Sequence, residues 1–275
     1  MTAPRLGRLG IWRRRQDGPG PLRALESLGY SAVWIGSSPS PTDARPFVEA
    51  STSLTVATGI LNVWQHDPAD VAAGFADVAA QSGGRFLLGV GVGHPEATAA
   101  YRSPRETMEA FFDGLDAADP PVPRTERMAA ALGPRMLDLA AARTRGPHTY
   151  FVPPEHTRFA RERIGADALL AAEVAVVVEP DAGAAREIAR AYATTYLRLR
   201  NYTSNLMRFG FTEADIAGGG SDRLIDAVIP HGSAERIAAA IGGHFDAGAD
   251  HVCVQPLGHG PEPLADYEAL ARALL

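Results

Sequence analysis

Two histidines and one glycine-rich segment are the parts of this chain whose residue types and spacing best suit chemistry. The segment Gly89-Val90-Gly91-Val92-Gly93 follows the apolar stretch 85–88 and leads directly to His94. Alternate glycines strip the side chains from one face of a strand end, so that a flat group can lie against the backbone. An imidazole titrates near neutral pH, so His94, or His66 as a second candidate, can serve as an acid or a base.

Two other interpretations of the glycine segment are available. One is a glycine-rich turn between a strand and a helix. The other is a dinucleotide-binding loop, which is weaker because His94 stands where the third glycine of that motif should be. Pro95 then follows where a pyrophosphate-binding helix should begin.

Composition excludes several classes of protein. All 26 basic residues among the 275 are arginine, so a Walker A loop, a pyridoxal Schiff base and a lysine-dependent aldolase are excluded. The net charge of −6 argues against nucleic acid as a partner, because backbone binding needs a concentrated basic face. No HxH pair, HExxH or GxSxG motif occurs, and we expect no metal site.

Targeting and redox signals are equally sparse. The single cysteine, Cys253, lies in the apolar segment 251–254 and is predicted to be a core thiol. No signal-peptide stretch and no apolar run of about 18 residues is present, so we expect no membrane partner and a cytoplasmic location.

Strand-like and helical patterns alternate along the whole chain. This alternation predicts an α/β fold, a single (β/α)8 TIM barrel over residues 1–275, with an insertion at about 201–230 between strands seven and eight. The predicted strands lie at 6–11, 30–35, 54–60, 85–88 with the glycines that follow, 128–132, 149–152, 169–179 and 251–255.

The active site of a parallel barrel lies at the carboxyl ends of its strands. The residues that leave those ends are therefore the candidates for chemistry. They are Trp12, Arg13, Ser37, Ser38, Asn62, Trp64, Gln65, His66, Gly91, Gly93, His94, Gly133, Arg135, His148, Tyr150, Gln255 and Gly258.

Five segments, in order, resemble the luciferase-like monooxygenase superfamily, and within it the actinobacterial branch of coenzyme F420-dependent oxidoreductases. In chain order they are ATGILNVW at 57–64, GRFLLGVGVG at 84–93, ALGPRMLDLAA at 131–141, HTYFVPPEHTRFARERIG at 148–165 and DAGADHV at 246–252. The resemblance implies a barrel of the bacterial-luciferase type that binds F420, or alternatively FMN, together with a small-molecule substrate. Relatives are often homodimers.

The resemblance also implies site residues. A bulge at 59–62, often with a cis non-prolyl peptide, would support the back of the deazaflavin ring, and the turn at 133–136 would bind the cofactor phosphate at a helix start. His94 stands where relatives carry a proton donor. The implied cofactor contacts are Gly59, Ile60, Asn62, Trp64, Gly91, Gly93, Gly133, Pro134, Arg135, Met136 and His148.

One departure from the superfamily concerns the segment after strand two. Many relatives carry an acidic residue and a histidine there, whereas this chain has Gly36-Ser37-Ser38. The predicted function is hydride transfer between the deazaflavin C5 and a small organic substrate. The alternatives are an FMN-dependent monooxygenase and a barrel that binds a flavin or deazaflavin without turnover.

Overall fold

The strands of the computed structural model form one closed parallel barrel. The structure describes residues 3–97, 101–260 and 262–275. Its strands are β1 Leu9–Arg14, β2 Ala32–Gly36, β3 Thr55–Thr58, β4 Leu61–Asn62, β5 Phe86–Gly91, β6 Arg127–Ala130, β7 Pro147–Thr149, β8 Ala171–Val176 and β9 His251–Pro256. The first strand pairs with both β2 and β9, and β5 pairs with both β3 and β4. Because β3 and β4 are two pieces of one barrel strand, the predicted eight-stranded barrel is confirmed.

The helices surround the barrel. They are α1 Leu22–Ser27, α2 Arg45–Glu49, α3 Pro68–Gln81, α4 Pro104–Ala117, α5 Pro134–Arg143, α6 Pro154–Ile164, α7 Ala182–Tyr196, α8 Arg200–Arg208, α9 Glu213–Ile216, α10 Asp222–Val228, α11 Ala234–Asp246 and α12 Leu264–Leu274. Four consecutive helices, α3 to α6, begin with proline in the first turn, where the missing N–H would have no intrahelical acceptor. No helix within the described ranges is long and apolar enough to cross a membrane.

The seventh and eighth barrel strands are β8 and β9, and the predicted insertion corresponds to extra helices between them. Helices α8, α9 and α10 occupy this part of the chain. Leu206 of α8 and Leu224 of α10 are buried in one hydrophobic cluster with Ala189 of α7. This cluster places α8 beside the carboxyl ends of the strands, where the candidate site residues lie.

Two strands lie a few residues away from their predicted positions. The first barrel strand, predicted at 6–11, is observed as β1 at 9–14. The prediction ended before the arginines, but Arg13 is buried and continues the strand. Its guanidinium donates hydrogen bonds to the carbonyl oxygens of Gly18 and Asp17. The sixth barrel strand, predicted at 149–152, is observed as β7 at 147–149. Phe151 takes a left-handed conformation, with φ of 55°, that ends this strand.

Candidate active site

A cavity of about 990 Å³ opens at the carboxyl ends of the barrel strands. Its wall includes eight of the residues predicted for the site, namely Gly59, Ile60, Asn62, Gly93, His94, Gly133, Met136 and His148. Residues from strands on opposite sides of the barrel therefore meet around one space, as a parallel barrel requires. The other five predicted residues, Trp64, His66, Gly91, Pro134 and Arg135, lie outside this wall.

The third barrel strand has a bulge beside the cavity. Ala57 pairs with Leu87 and Leu61 pairs with Val90, so four steps along one strand face three steps along its neighbour. One extra residue in a strand exchanges the inward and outward faces beyond it. As a result, Ile60 and Asn62 line the cavity while Leu61 is buried in the outer core.

The peptide bond between Gly59 and Ile60 is cis, which confirms the prediction of a bulge or cis non-prolyl peptide within 59–62. Trp12 binds this segment, because its indole N–H donates a hydrogen bond of 3.3 Å to the carbonyl oxygen of Gly59. Trp12 also lines the cavity. The bulge and Trp12 together form one wall of the cavity.

Two glycines of the predicted ligand-binding segment serve the bulge itself. A Cβ at Gly91 would lie 2.9 Å from Cδ1 of Ile60, so the missing side chain makes room for Ile60. A Cβ at Gly89 would lie 2.0 Å from the carbonyl oxygen of Thr58. The bare backbone at these positions therefore accommodates the bulged strand, and Gly91 lies behind the cavity wall.

Asn62 and Trp64 connect the ends of the third and fourth barrel strands. The Asn62 side chain accepts a hydrogen bond of 3.1 Å from the Trp64 amide, and the Trp64 indole donates one of 2.9 Å to the Val92 carbonyl. Gly93 takes a left-handed conformation, and a Cβ there would lie 2.8 Å from Nδ2 of Asn62. Trp64 is thus a support for the wall, whereas Asn62 is part of it.

His94 is held against the insertion helix α8. Its Nδ1 lies 3.0 Å from Oδ1 of Asn201, and because a carbonyl oxygen only accepts, Nδ1 carries the proton. Burial lowers the pKa of His94, which favours the neutral ring. The neutral ring with Nδ1–H leaves Nε2 as an acceptor, so His94 is suited to accept a hydrogen bond or a proton.

The turn before α5 contributes backbone to the cavity wall. Gly133 precedes the helix in extended conformation, and a Cβ there would meet nothing within 4 Å. The preceding carbonyl, of Leu132, accepts a hydrogen bond of 2.9 Å from Nε2 of His156. Pro134 has no N–H and the Met136 amide donates to the Gly133 carbonyl, so the helix-start donors left for a ligand are the amides of Gly133 and Arg135. The Arg135 side chain is exposed outside the wall.

His148 is the most deeply buried polar residue of the predicted site. Its ring stacks on Trp34 with centroids 4.1 Å apart and planes 9° apart, and its side chain is 3% exposed. Neither ring nitrogen has a hydrogen-bond partner among the residues that the structure describes. Burial lowers the pKa of His148 to about 3, so the ring is neutral at physiological pH.

Sequence reasoning missed a cluster of three tyrosines in the cavity wall. The sequence analysis selected Tyr150 as a candidate at a strand end, but the helical spacing of Tyr192 and Tyr196 on α7 is typical of core residues and did not single them out. All three line the cavity together with Gln255. A pair of tyrosines four residues apart, on the helix that follows a barrel strand, is the sequence signal that could have identified them.

A buried acid was missed as well. Glu173 lies on β8 with 1% exposure, opposite Cys253 on β9. Neither of its carboxyl oxygens has a partner in the part of the chain that the structure covers. Burial raises the pKa of Glu173 to about 8, so the carboxyl is protonated at neutral pH. A single glutamate inside the apolar run 169–178 is its sequence signal.

Asn205 is a further residue that the sequence left unassigned. It lines the cavity from α8 and is 4% exposed. Neither its amide nitrogen nor its amide oxygen has a partner among the described residues. In the described ranges no three His, Cys, Asp or Glu side chains are grouped as metal ligands would be.

One segment of the chain matches a known protein family. The luciferase-like monooxygenase family matches residues 21–116, which include the bulge and the glycine segment. The predicted resemblance to the luciferase-like superfamily is thereby confirmed for this segment. No curated protein matches the chain in sequence.

Solved structures of the same fold extend the comparison to nearly the whole chain. An F420-dependent secondary alcohol dehydrogenase, solved with an F420-acetone adduct, aligns with a TM-score of 0.72 at 16% identity, over 98% of this chain and 100% of that chain. The coenzyme F420-dependent tetrahydromethanopterin reductase from Methanopyrus kandleri aligns with a TM-score of 0.69 at 16% identity, over 98% and 99%.

A solved structure that contains FMN has the same fold. The oxygenating constituent of 3,6-diketocamphane monooxygenase from Pseudomonas putida, solved with FMN, aligns with a TM-score of 0.65 at 15% identity, over 97% of this chain and 96% of that chain. At such identities the likeness establishes the luciferase-like barrel fold.

Proposed function

We propose that this protein is a luciferase-like oxidoreductase that uses coenzyme F420 to transfer hydride to or from a small organic substrate. The observation that carries the proposal is that one cavity unites the bulge at 59–62 with the helix start at Gly133. The first offers a flat apolar support for a ring, and the second offers N–H groups and a positive helix end for a phosphate. The described residues thus fit a ring that carries a phosphorylated side chain.

The protein would hold this cofactor by shape and backbone donors. When bound, reduced F420 supplies a hydride from C5. Ile60 would support the ring from behind, and Trp12 would fix the bulge through the Gly59 carbonyl. His94 would accept a hydrogen bond from the ring or the substrate at Nε2. Met136 and the Gly133 backbone would exclude water around the phosphate end.

Ser38 after β2 does not replace the missing acid–histidine pair. Ser38 donates a hydrogen bond to Oε1 of Gln65 at 3.0 Å and accepts one from the Asn62 amide at 3.1 Å. Its single proton is therefore already used within the wall. An acid or base for the reaction has to come from another part of the cavity.

We expect F420 to bind at least about tenfold more tightly than FMN, a difference of about 1.4 kcal/mol. The ordered set of F420-type motifs motivates this expectation. The measurement is a parallel titration with both cofactors, followed by tryptophan fluorescence, since Trp12 lines the cavity. Equal or reversed affinities would contradict the cofactor assignment and favour the FMN-dependent monooxygenase, as would a yellow colour in the purified protein.

We expect Gly133→Asp to weaken F420 binding by about 2 kcal/mol, because the new carboxylate would repel the phosphate and occupy the helix-start donors. Arg135→Ala should cost roughly 1 kcal/mol or less, since Arg135 is exposed outside the wall. A deazaflavin that lacks the phosphate is the control ligand, and both variants should bind it like the parent. Unchanged F420 affinity in Gly133→Asp would mean that the phosphate binds elsewhere, and residues 258–260 would be the next candidate. The single-domain organisation, the homodimer and the cytoplasmic location stay predictions.

A further inference from the structure

The three tyrosines of the cavity wall form a hydrogen-bonded phenol cluster, which we define as Tyr150, Tyr192 and Tyr196. The hydroxyl of Tyr150 lies 2.6 Å from that of Tyr192 and 2.9 Å from that of Tyr196. The amide oxygen of Gln255 lies 3.1 Å from the Tyr150 hydroxyl and 3.0 Å from the Tyr192 hydroxyl. Four short contacts therefore connect three phenols and one amide.

The number of protons decides what this cluster can do. Each phenol has one proton and Gln255 Oε1 only accepts, so three protons serve four contacts. Tyr150 and Tyr192 each have two or more partners within the cluster, whereas Tyr196 has only Tyr150 among the described residues. Tyr196 can therefore turn its proton towards a ligand while Tyr150 donates to the Tyr196 oxygen.

The phenol cluster lies close to the bulge. The rings of Tyr150 and Trp12 have centroids 5.8 Å apart, and the Trp12 indole donates to the Gly59 carbonyl. One aromatic ring thus separates the cluster from the segment proposed to support the cofactor ring. The cluster hydroxyls and a substrate bound against the cofactor ring would therefore share one cavity.

The surroundings keep the cluster neutral and able to donate. Burial raises the pKa of Tyr150, Tyr192 and Tyr196, so all three are protonated at neutral pH. An ionised Glu173 nearby would raise these values further and oppose the loss of a phenol proton. Because burial raises the pKa of Glu173 to about 8, this carboxyl is neutral below that pH and leaves the cluster free to donate.

We propose that the phenol cluster is the proton donor of the reaction, with Tyr196 as the catalytic residue, and that the substrate is a carbonyl compound. This inference rests on the proposed function, which supplies the reduced deazaflavin as reductant. The carbonyl carbon gains the hydride and its electron pair, and the C=O π pair becomes the new O–H bond with the proton of Tyr196. The product is an alcohol, and the Tyr196 phenolate is stabilised by the hydrogen bond from Tyr150 until solvent restores its proton.

The rest of the wall fits such a substrate. Ser38 after β2 uses its proton within the wall, whereas the phenol cluster has a proton for a ligand on the opposite side of the barrel. Leu132, Leu257 and Tyr202 add apolar and aromatic surface to the cavity. A neutral carbonyl compound with an apolar or aromatic body would bury this surface and aim its oxygen at the phenols.

The first experiment tests the cluster without any cofactor. 4-Nitrophenol is titrated into the protein, and the visible absorbance of its phenolate form is followed against pH. We expect the protein to favour the phenolate, because the cluster donates hydrogen bonds to an oxyanion. Tyr196→Phe and Tyr192→Phe should each weaken phenolate binding by about tenfold or more. No preference for the phenolate in the parent, or equal binding by both variants, would overturn the proposal.

Thr194→Val is the matched control for these variants. It removes a hydroxyl from the same helix, but this hydroxyl donates to the Arg190 carbonyl, and Thr194 lies outside the cavity wall. Phenolate binding should be unchanged in Thr194→Val. A loss equal to that of the tyrosine variants would mean that the helix, and not the phenol, is responsible, and would overturn the proposal.

The second experiment measures single turnover of bound reduced F420 with cyclohexanone, acetophenone and benzaldehyde. Tyr196→Phe should slow the reaction roughly 100-fold, abolish its solvent deuterium isotope effect and leave F420 affinity unchanged. An unchanged rate in Tyr196→Phe would overturn the role of the cluster. If F420 does not bind at all, the proposed function fails, and that outcome is distinct because the nitrophenol titration needs no cofactor.

Discussion

Glu173→Gln is expected to stabilise the protein by on the order of 4 kcal/mol at pH 8.5 and by little at pH 4.5. The cause is the burial of Glu173, which raises the pKa of its carboxyl from 4.5 to about 8. Between these two values the unfolded chain has lost this proton and the folded protein retains it. The folded protein then binds more protons than the unfolded chain, so the parent loses stability as the pH rises through this window.

The measurement is urea unfolding of parent and variant at pH 4.5, 6.5 and 8.5. Glutamine has the same size and stays neutral, so the difference between the two proteins should grow with pH and level off above about pH 8. Glu26→Gln is the control of opposite sign. Although partial burial acts against it, the N–H groups of residues 52–54 lower the pKa of Glu26 to about 2, so its carboxylate stabilises the fold above pH 4.5. A pH-independent difference for Glu173→Gln would contradict a buried, protonated carboxyl.

Gly89→Ala is expected to destabilise the fold by about 3 kcal/mol. The added methyl group would lie 2.0 Å from the carbonyl oxygen of Thr58, which is backbone in the bulged strand and cannot rotate away. Thr58 also binds Gly89 through its side chain, which donates to the Gly89 carbonyl and accepts from the Gly89 amide at 2.8 Å each. Any shift that relieves the clash would therefore break these bonds.

Gly242→Ala is the matched control for this substitution. Gly242 lies inside α11, and a Cβ there would meet nothing within 4 Å. Alanine should stabilise this helix by up to about 1 kcal/mol. Thermal unfolding of the two variants against the parent measures both effects. A Gly89→Ala protein as stable as the parent would mean that the bulge approaches the glycine strand less closely than described.

The sequence was sufficient for the barrel because each strand and helix has a local signal. Proline in the first turn marks α3 to α6, and apolar runs mark the strands. Strand ends were less well predicted where burial depends on the partners that a polar side chain finds in the folded chain. Arg13 is buried because its guanidinium binds carbonyls beyond the strand, and His148 is buried because it stacks on Trp34. Residue type alone carries no such information.

The candidate site was predicted in part for a similar reason. Motifs located the bulge, His94 and the turn at Gly133, which are short segments whose role depends on their own backbone. The phenol cluster joins a strand end to a helix 42 residues further along the chain, and helical spacing alone made Tyr192 and Tyr196 resemble core residues. Glu173 was overlooked because its apolar neighbours are enough to predict a buried strand, and that prediction assigns no role to a single acidic residue within it.

The extra residue in the third barrel strand makes chain length a constraint that composition does not reveal. If one residue were deleted between 58 and 60, Leu61 would turn into the cavity and Asn62 into the hydrophobic core between the barrel and the helices. An inserted residue would have the same effect. Insertions and deletions should therefore be excluded from this stretch over evolutionary time and accumulate only after it, in the loop that leads to Pro68.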